Sequence, residues 1–138
     1  MRFLGVAIYD ARLWVDARFA PARFDAHPLA LELRYHRAFS AAAIARRSLT
    51  EMQRQRKLAP ELAQRWERML GQLLPDVQPG DRLLGVYLPG EGMQLWRGAQ
   101  LLGTLREPEL AHLFFGIWLS PQTSEPSLRA ALLARVAP

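Results

Sequence analysis

Residues 82–105 read RLLGVYLPGEGMQLWRGAQLLGTL, and the two breaks in this stretch decide the fold. Arg82 to Leu88, Met93 to Arg97 and Gln100 to Leu105 have the composition of short strands. Pro89-Gly90-Glu91-Gly92 and Gly98-Ala99 between them are spacings that favour antiparallel hairpins. The stretch therefore predicts a three-stranded meander. Downstream, Glu107 and Pro108 open a helix, because an acidic residue complements the N-terminal dipole and proline is tolerated in the first turn. Leu110, Leu113, Phe114, Ile117 and Trp118 form one broad apolar face of that helix, and Phe115 and Leu119 occupy the other side. A helix apolar nearly all round is buried nearly all round. After a turn at Ser120-Pro121, Ser124 is placed to cap a last helix running from Pro126 through Leu128 to Leu133.

Upstream of the meander, residues 75–81 (PDVQPGD) are mostly turn-formers. Before them Pro60 suits the first turn of a helix whose Leu62, Trp66, Met69 and Leu73 form one stripe. Ahead of that, Ala38, Ala41, Ala45, Leu49 and Met52 share one sector of a helix, with Arg46, Arg47, Thr50, Arg54 and Lys57 opposite. Leu29 to Tyr35 alternates, with Leu29, Leu31, Leu33 and Tyr35 on one face and Glu32, Arg34 and His36 on the other, as a half-buried strand does. Asp16 to Pro28 has no period and reads as loop. Phe3 to Val15 reads as an extended segment with Tyr9, Ala11, Leu13 and Val15 on one face. The order is two strands, two helices, three strands and two helices, which predicts an α+β fold with an antiparallel sheet.

The chain has 138 residues, half of them hydrophobic and 22% charged, the profile of a single domain spanning 1–138. With no cysteine it has no thiol nucleophile, no Cys-ligated zinc and no iron–sulfur cluster. Leu110 to Leu119 is the longest strongly apolar run and reaches only half of the roughly 20 residues that a membrane-spanning helix needs. The apolar stretch Phe3 to Ile8 is cut by Asp10 and Arg12 and is too short for a signal peptide, so a cytoplasmic location is the expectation. The net charge of +5 is local. Between Arg34 and Arg68 nine basic and three acidic side chains give +6, and the remaining nine basic and ten acidic ones give −1. Lys57 is the only lysine, and so chain-wide a preference for arginine reflects composition rather than phosphate contacts; no nucleic-acid partner is expected.

Generic catalytic motifs are absent. His27, His36 and His112 show no paired spacing that would set two imidazoles toward a metal, so no metal and no cofactor is expected. There is no nucleophile elbow, phosphate loop or dinucleotide fingerprint; Gly90-Glu91-Gly92 sits between strands and reads as a turn. Glu107 and Glu109 are explained by helix-start electrostatics. The basic face formed by Arg46, Arg47, Arg54 and Lys57 has no interleaved aromatic residue to stack on bases and reads as a solvated surface partly paired with Glu51.

Several strings taken together carry a resemblance: GVAIYDARLW at residues 5–14, ALELRY at 30–35, RSLTEM at 47–52, LPDV at 74–77 followed by Gly80-Asp81, FFGIWLSP at 114–121 and TSEP at 123–126. In this collinear order the chain resembles the bacterial chalcone isomerase-like family. The resemblance implies an antiparallel sheet curved over a layer of helices, with a ligand cleft between them and without the family's first strand. In the plant enzymes an arginine, a tyrosine, hydroxyl side chains and an asparagine hold the chalcone. The arginine position has no counterpart here. The threonine falls near Leu4, the tyrosine near Phe39, the asparagine near Arg46 and the late hydroxyl near Leu113 or Phe114. No polar set survives, so chalcone isomerase activity is not expected and no catalytic residue is assigned. A second branch of the fold binds fatty acids through an arginine and a tyrosine.

The resulting expectation is a non-catalytic domain that binds a small apolar or acidic, fatty-acid-like ligand in the cleft, with Tyr35, Arg34, Arg37 and Trp118 as candidate ligand-binding residues. The alternatives are an isomerase or other enzyme with a divergent cleft, and a binder of an anionic partner through the basic helix at 46–57. The resemblance also implies a periplasmic alternative, since members of that family usually carry an export signal, which makes a trimmed or truncated exported protein the competing expectation.

Overall fold

A computed structural model describes residues 2–3 and 6–134. Five antiparallel strands form an open sheet in the order of the chain: β3 (Tyr9–Val15), β4 (Leu29–Tyr35), β5 (Arg82–Leu88), β6 (Gly92–Arg97) and β7 (Gln100–Leu105). Two short strands, β1 (Arg2–Phe3) and β2 (Val6–Ala7), pair separately. Four helices complete the order: α1 (Ala41–Met52) and α2 (Pro60–Leu73) between β4 and β5, then α3 (Pro108–Leu119) and α4 (Pro126–Ala134) after β7. The α+β architecture with an antiparallel sheet is the one the hairpin spacings predict.

Two expectations change in detail. The extended segment from Phe3 to Val15 is divided among three strands rather than forming one, since it takes in the end of β1, all of β2 up to Ala7, and β3 from Tyr9, where the main sheet begins. Ile8 lies between β2 and β3, and its carbonyl accepts from the His36 amide at 2.8 Å, so pairing with the chain after β4 continues past the end of β3. The segment read as loop contains a 3-10 turn, Pro21–Ala26, which starts at a proline and buries Phe24 against the His112 ring of α3.

Turn chemistry fixes the meander. Gly98 has φ of 59°, the left-handed value that a two-residue hairpin loop asks of its first central residue. Gly92 has φ of 151°, and a Cβ there would run into the Leu105 carbonyl oxygen of β7. The β6–β7 register shifts between Leu95 and Trp96, a bulge of the kind that bends and twists a strand pair. Helix ends are defined just as locally: Ser40 Oγ accepts from the Ala43 amide at 3.1 Å and Asp76 Oδ1 from the Ala41 amide at 2.7 Å, while Pro60 opens α2. Ser124 departs from its expected capping role. Its hydroxyl donates across the fold to Glu51 Oε1 at 2.7 Å.

Alternation along the strands puts Tyr9, Leu29, Leu31, Leu33, Tyr35, Leu83, Tyr87, Met93 and Leu95 into the core, and α3 covers the β5–β6 part of this inner face. Every residue of α3 from Leu110 to Leu119 except His112 is buried, as an all-round apolar helix requires. Phe115 seats it: the ring is fully buried, packs on Tyr87 at 5.1 Å between centroids, and fills the space over Gly85, where a Cβ would stand 3.2 Å from Phe115 Cζ. Phe115→Ala is therefore expected to cost about 3–5 kcal/mol in urea unfolding. Glu109→Gln at the exposed start of the same helix should stay within about 0.5 kcal/mol, and equal midpoints for the two variants would remove α3 from its place at the centre of the core.

Candidate functional site

A cleft of about 560 Å³ opens between the inner face of the sheet and helices α1 and α3. The sheet supplies Tyr9, Leu31, Leu33, Tyr35, Leu83, Gly85 and Leu95, α3 supplies Phe114, Phe115, Ile117 and Trp118, α1 supplies Ala43, Ile44, Arg47, Ser48 and Glu51, and the β4–α1 connection adds Arg37, Ala38 and Phe39. The volume and the mostly apolar wall with a few polar groups are those of a small-molecule site.

Three of the four candidate residues meet here. Tyr35 ends β4 on the inner face, Arg37 follows it in the connection, and Trp118 faces them from α3. Arg34 does not join them. It lies one residue before Tyr35, and strand alternation turns it to the outer face between its register partners Asp10 and Arg82, where it is exposed. Among the described residues no ion pair involves Arg37, whose exposed side chain borders the cleft.

The structure adds polar groups that the sequence did not single out for the site. Tyr9 accepts a hydrogen bond at its hydroxyl from Trp118 Nε1 at 2.6 Å, tying β3 to α3, and its ring meets that of Tyr35 edge to face at 5.6 Å. Glu51 is only 5% exposed; its carboxylate takes Arg47 Nη2 at 3.1 Å, the Ser124 hydroxyl at 2.7 Å and Arg54 Nε at 3.9 Å. The alternation of β3 already set Tyr9 on the inner face, which was the available signal. Nothing in the helical pattern showed Glu51 as buried, because its partner Ser124 is 73 residues away.

The same contacts account for the basic face at residues 46–57. Arg47 and Arg54 bend to one buried carboxylate, so the stripe read as solvated is partly neutralised by Glu51. Glu107 and Glu109, expected to serve the helix start alone, also pair with Arg65 and Arg56. His36 and His112 stand apart, near Asp10 and Asp25 respectively, and among the described residues no three His, Asp or Glu side chains form a metal-binding group. No helix of the described residues is long and apolar enough to cross a membrane.

Of the positions matched to the plant polar set, Phe39 and Phe114 line the cleft with phenyl rings and Arg46 is exposed on α1, whereas Leu4 lies outside the described residues. Residues 4–134 match the chalcone isomerase-like family model, and the chain belongs to that family. Among solved structures it is similar to a fatty-acid binding protein of Arabidopsis thaliana, with a TM-score of 0.67 and 9% identity over 99% of this chain and 83% of that one. That likeness extends the shared fold to nearly the whole chain. No curated protein gives a match.

Burial raises the ionisation of all three tyrosines above the ordinary phenol value of about 10, most strongly for Tyr9 and Tyr35. The unfolded chain then loses phenolic protons first as the solution becomes alkaline. Stability contributed by the protonated phenols is full below about pH 10 and falls as pH rises above it, because the native state binds more protons there than the unfolded state. Urea melts at rising pH should show this loss, with a smaller slope in Tyr35→Phe. In Tyr87→Phe, phenolate absorbance should appear only together with unfolding; its appearance in the folded variant near pH 10 would contradict the burial of Tyr9 and Tyr35.

Proposed function

We propose that this protein is a non-catalytic binder of a small amphipathic molecule with a long apolar part and an acidic group, as in a fatty acid. The observation that carries the reading is the cleft itself: about 560 Å³ walled by leucine, isoleucine and aromatic side chains, with Arg37 among its lining residues. Burying apolar surface drives such a ligand in, at about 25 cal/mol per Å², and a cation in contact with solvent is the cheapest place to leave a carboxylate. The similar Arabidopsis protein, a fatty-acid binding protein, supports this choice of ligand class. Against catalysis of the plant type stand Phe39 and Phe114, phenyl rings at positions where that chemistry uses polar groups. The anionic-partner alternative is weakened by Glu51, which holds Arg47 and Arg54, two of the four basic side chains of the 46–57 face.

Dodecanoate titrated into the protein by calorimetry tests the reading. Binding is expected, with Arg37→Gln weakening it roughly 2- to 5-fold, the range of an exposed ion pair, and with that loss shrinking at high salt. Ala43→Phe, which adds a ring to the cleft wall, should abolish binding while leaving the protein folded. Dodecanoate binding unaffected by Ala43→Phe would place the ligand elsewhere and end the proposal. Chalcone cyclisation should proceed at the rate in buffer.

A further inference from the structure

Tyr9 and Tyr35 are direct register partners on β3 and β4, so both rise from the same inner face of adjacent strands. They are 7% and 4% exposed, and both line the cleft. The Tyr9 hydroxyl accepts from Trp118 Nε1, which occupies one of its lone pairs and leaves its proton to donate; among the described residues no acceptor takes that proton. The Tyr35 hydroxyl makes no hydrogen bond among the described residues. Two neighbouring phenols on a cavity wall thus hold two donors without acceptors. Trp66 Nε1 is the one fully buried side-chain atom without a partner among the described residues, so the unpartnered Tyr35 hydroxyl opens onto the cleft, where an acceptor can reach it, and the Tyr9 hydroxyl, which already accepts a bond, donates more strongly.

The sign of the surroundings selects the acceptor. Burial is what chiefly opposes negative charge beside the Tyr9 hydroxyl, and the carboxylates of Glu125 and of Glu51, which lines the same cleft, add to it. Arg47, the cation on the cleft side of α1, is already committed to Glu51. A buried carboxylate at the phenols would therefore meet carboxylates without a cation of its own, whereas an uncharged oxygen meets two donors and no penalty. We infer that the Tyr9 and Tyr35 hydroxyls form a two-donor subsite for an uncharged acceptor oxygen, such as a ketone, ester or amide carbonyl. The inference rests on the ligand-binding reading above and narrows it to molecules that carry such an oxygen within or beside their apolar part, leaving any acidic group to Arg37.

The test uses 2-decanone labelled with carbon-13 at the carbonyl, 1-decene as a hydrocarbon of matched length, and dodecanoate. In the wild-type protein 2-decanone should bind more tightly than 1-decene, with its carbonyl stretch at lower frequency than in an alkane solvent. Tyr9→Phe and Tyr35→Phe should each lower 2-decanone affinity about 2- to 10-fold, return the stretch toward the alkane value and leave 1-decene unchanged. If Tyr9→Phe fails to fold, Tyr35→Phe carries the test, since its hydroxyl has no partner to lose. An unchanged affinity and stretch in the variants, with dodecanoate still bound, would overturn the subsite and leave the ligand-binding reading standing. Loss of dodecanoate as large as the loss of 2-decanone would mean that the pair takes a carboxylate and would overturn the uncharged acceptor. Failure of all three probes to bind would overturn both readings.

Discussion

The seating of α3 on the sheet is the constraint from which the rest follows. Phe115 projects toward Gly85, and the absence of a side chain at that position lets the helix come close enough for the ring to touch Tyr87. On the neighbouring side Gly116 leaves room for Gln55, whose amide donates to the Leu113 carbonyl at 2.7 Å and fixes the end of α1 to the same helix. Phe114 and Trp118, which meet edge to face at 5.3 Å, then have nowhere to go but over the β3–β4 side of the sheet. One helix is thus held tightly over β5 and β6, and its remaining aromatic edge becomes a wall of the cleft. The cleft is what the packing leaves, and its apolar character is the same property that makes α3 a core helix.

Two polar ties close this wall. Trp118 donates to Tyr9 and binds α3 to the edge strand across 109 residues of chain, and Glu51 gathers Arg47, Arg54 and Ser124 so that α1 holds the turn leading into α4. Replacing both partners of such a tie by nonpolar groups of similar shape costs little, whereas removing one partner and leaving the other buried costs about 3–5 kcal/mol for a charge. These ties therefore specify geometry more than they add stability. They orient the polar atoms at the cleft, which in an otherwise apolar space decides what can bind there.

The hairpin loops, the alternation of β4 and the all-round apolar α3 made the fold legible in the sequence because each depends on contacts a few residues apart. The break at Ile8 was not legible, since it depends on the register with His36, and the 3-10 turn at Pro21–Ala26 has no period to read. At the site the same division holds. Tyr35 and Trp118 stood out as aromatic residues on core-facing positions, and Arg37 as a charge beside them. Arg34 illustrates the cost of choosing by proximity in sequence, because the alternation that turns Tyr35 inward necessarily turns Arg34 outward. The pairing of Glu51 with the basic face was legible but its burial was not, because it sits among arginines on an amphipathic helix and its partner Ser124 lies 73 residues away.

Membership in the chalcone isomerase-like family and a TM-score of 0.67 at 9% identity describe a backbone kept while nearly every side chain has changed. What such a backbone conserves is a gap between a curved sheet and a helix, and any sequence that fills the core correctly inherits the gap. The polar atoms inside it are a separate matter. Here phenyl rings stand at Phe39 and Phe114, and hydroxyl donors come instead from Tyr9 and Tyr35, positions whose first duty is to pair β3 with β4. A residue that is structural by its register and polar at its tip can enter the site without disturbing the fold. The polar groups of the cleft can consequently change while the architecture stays the same.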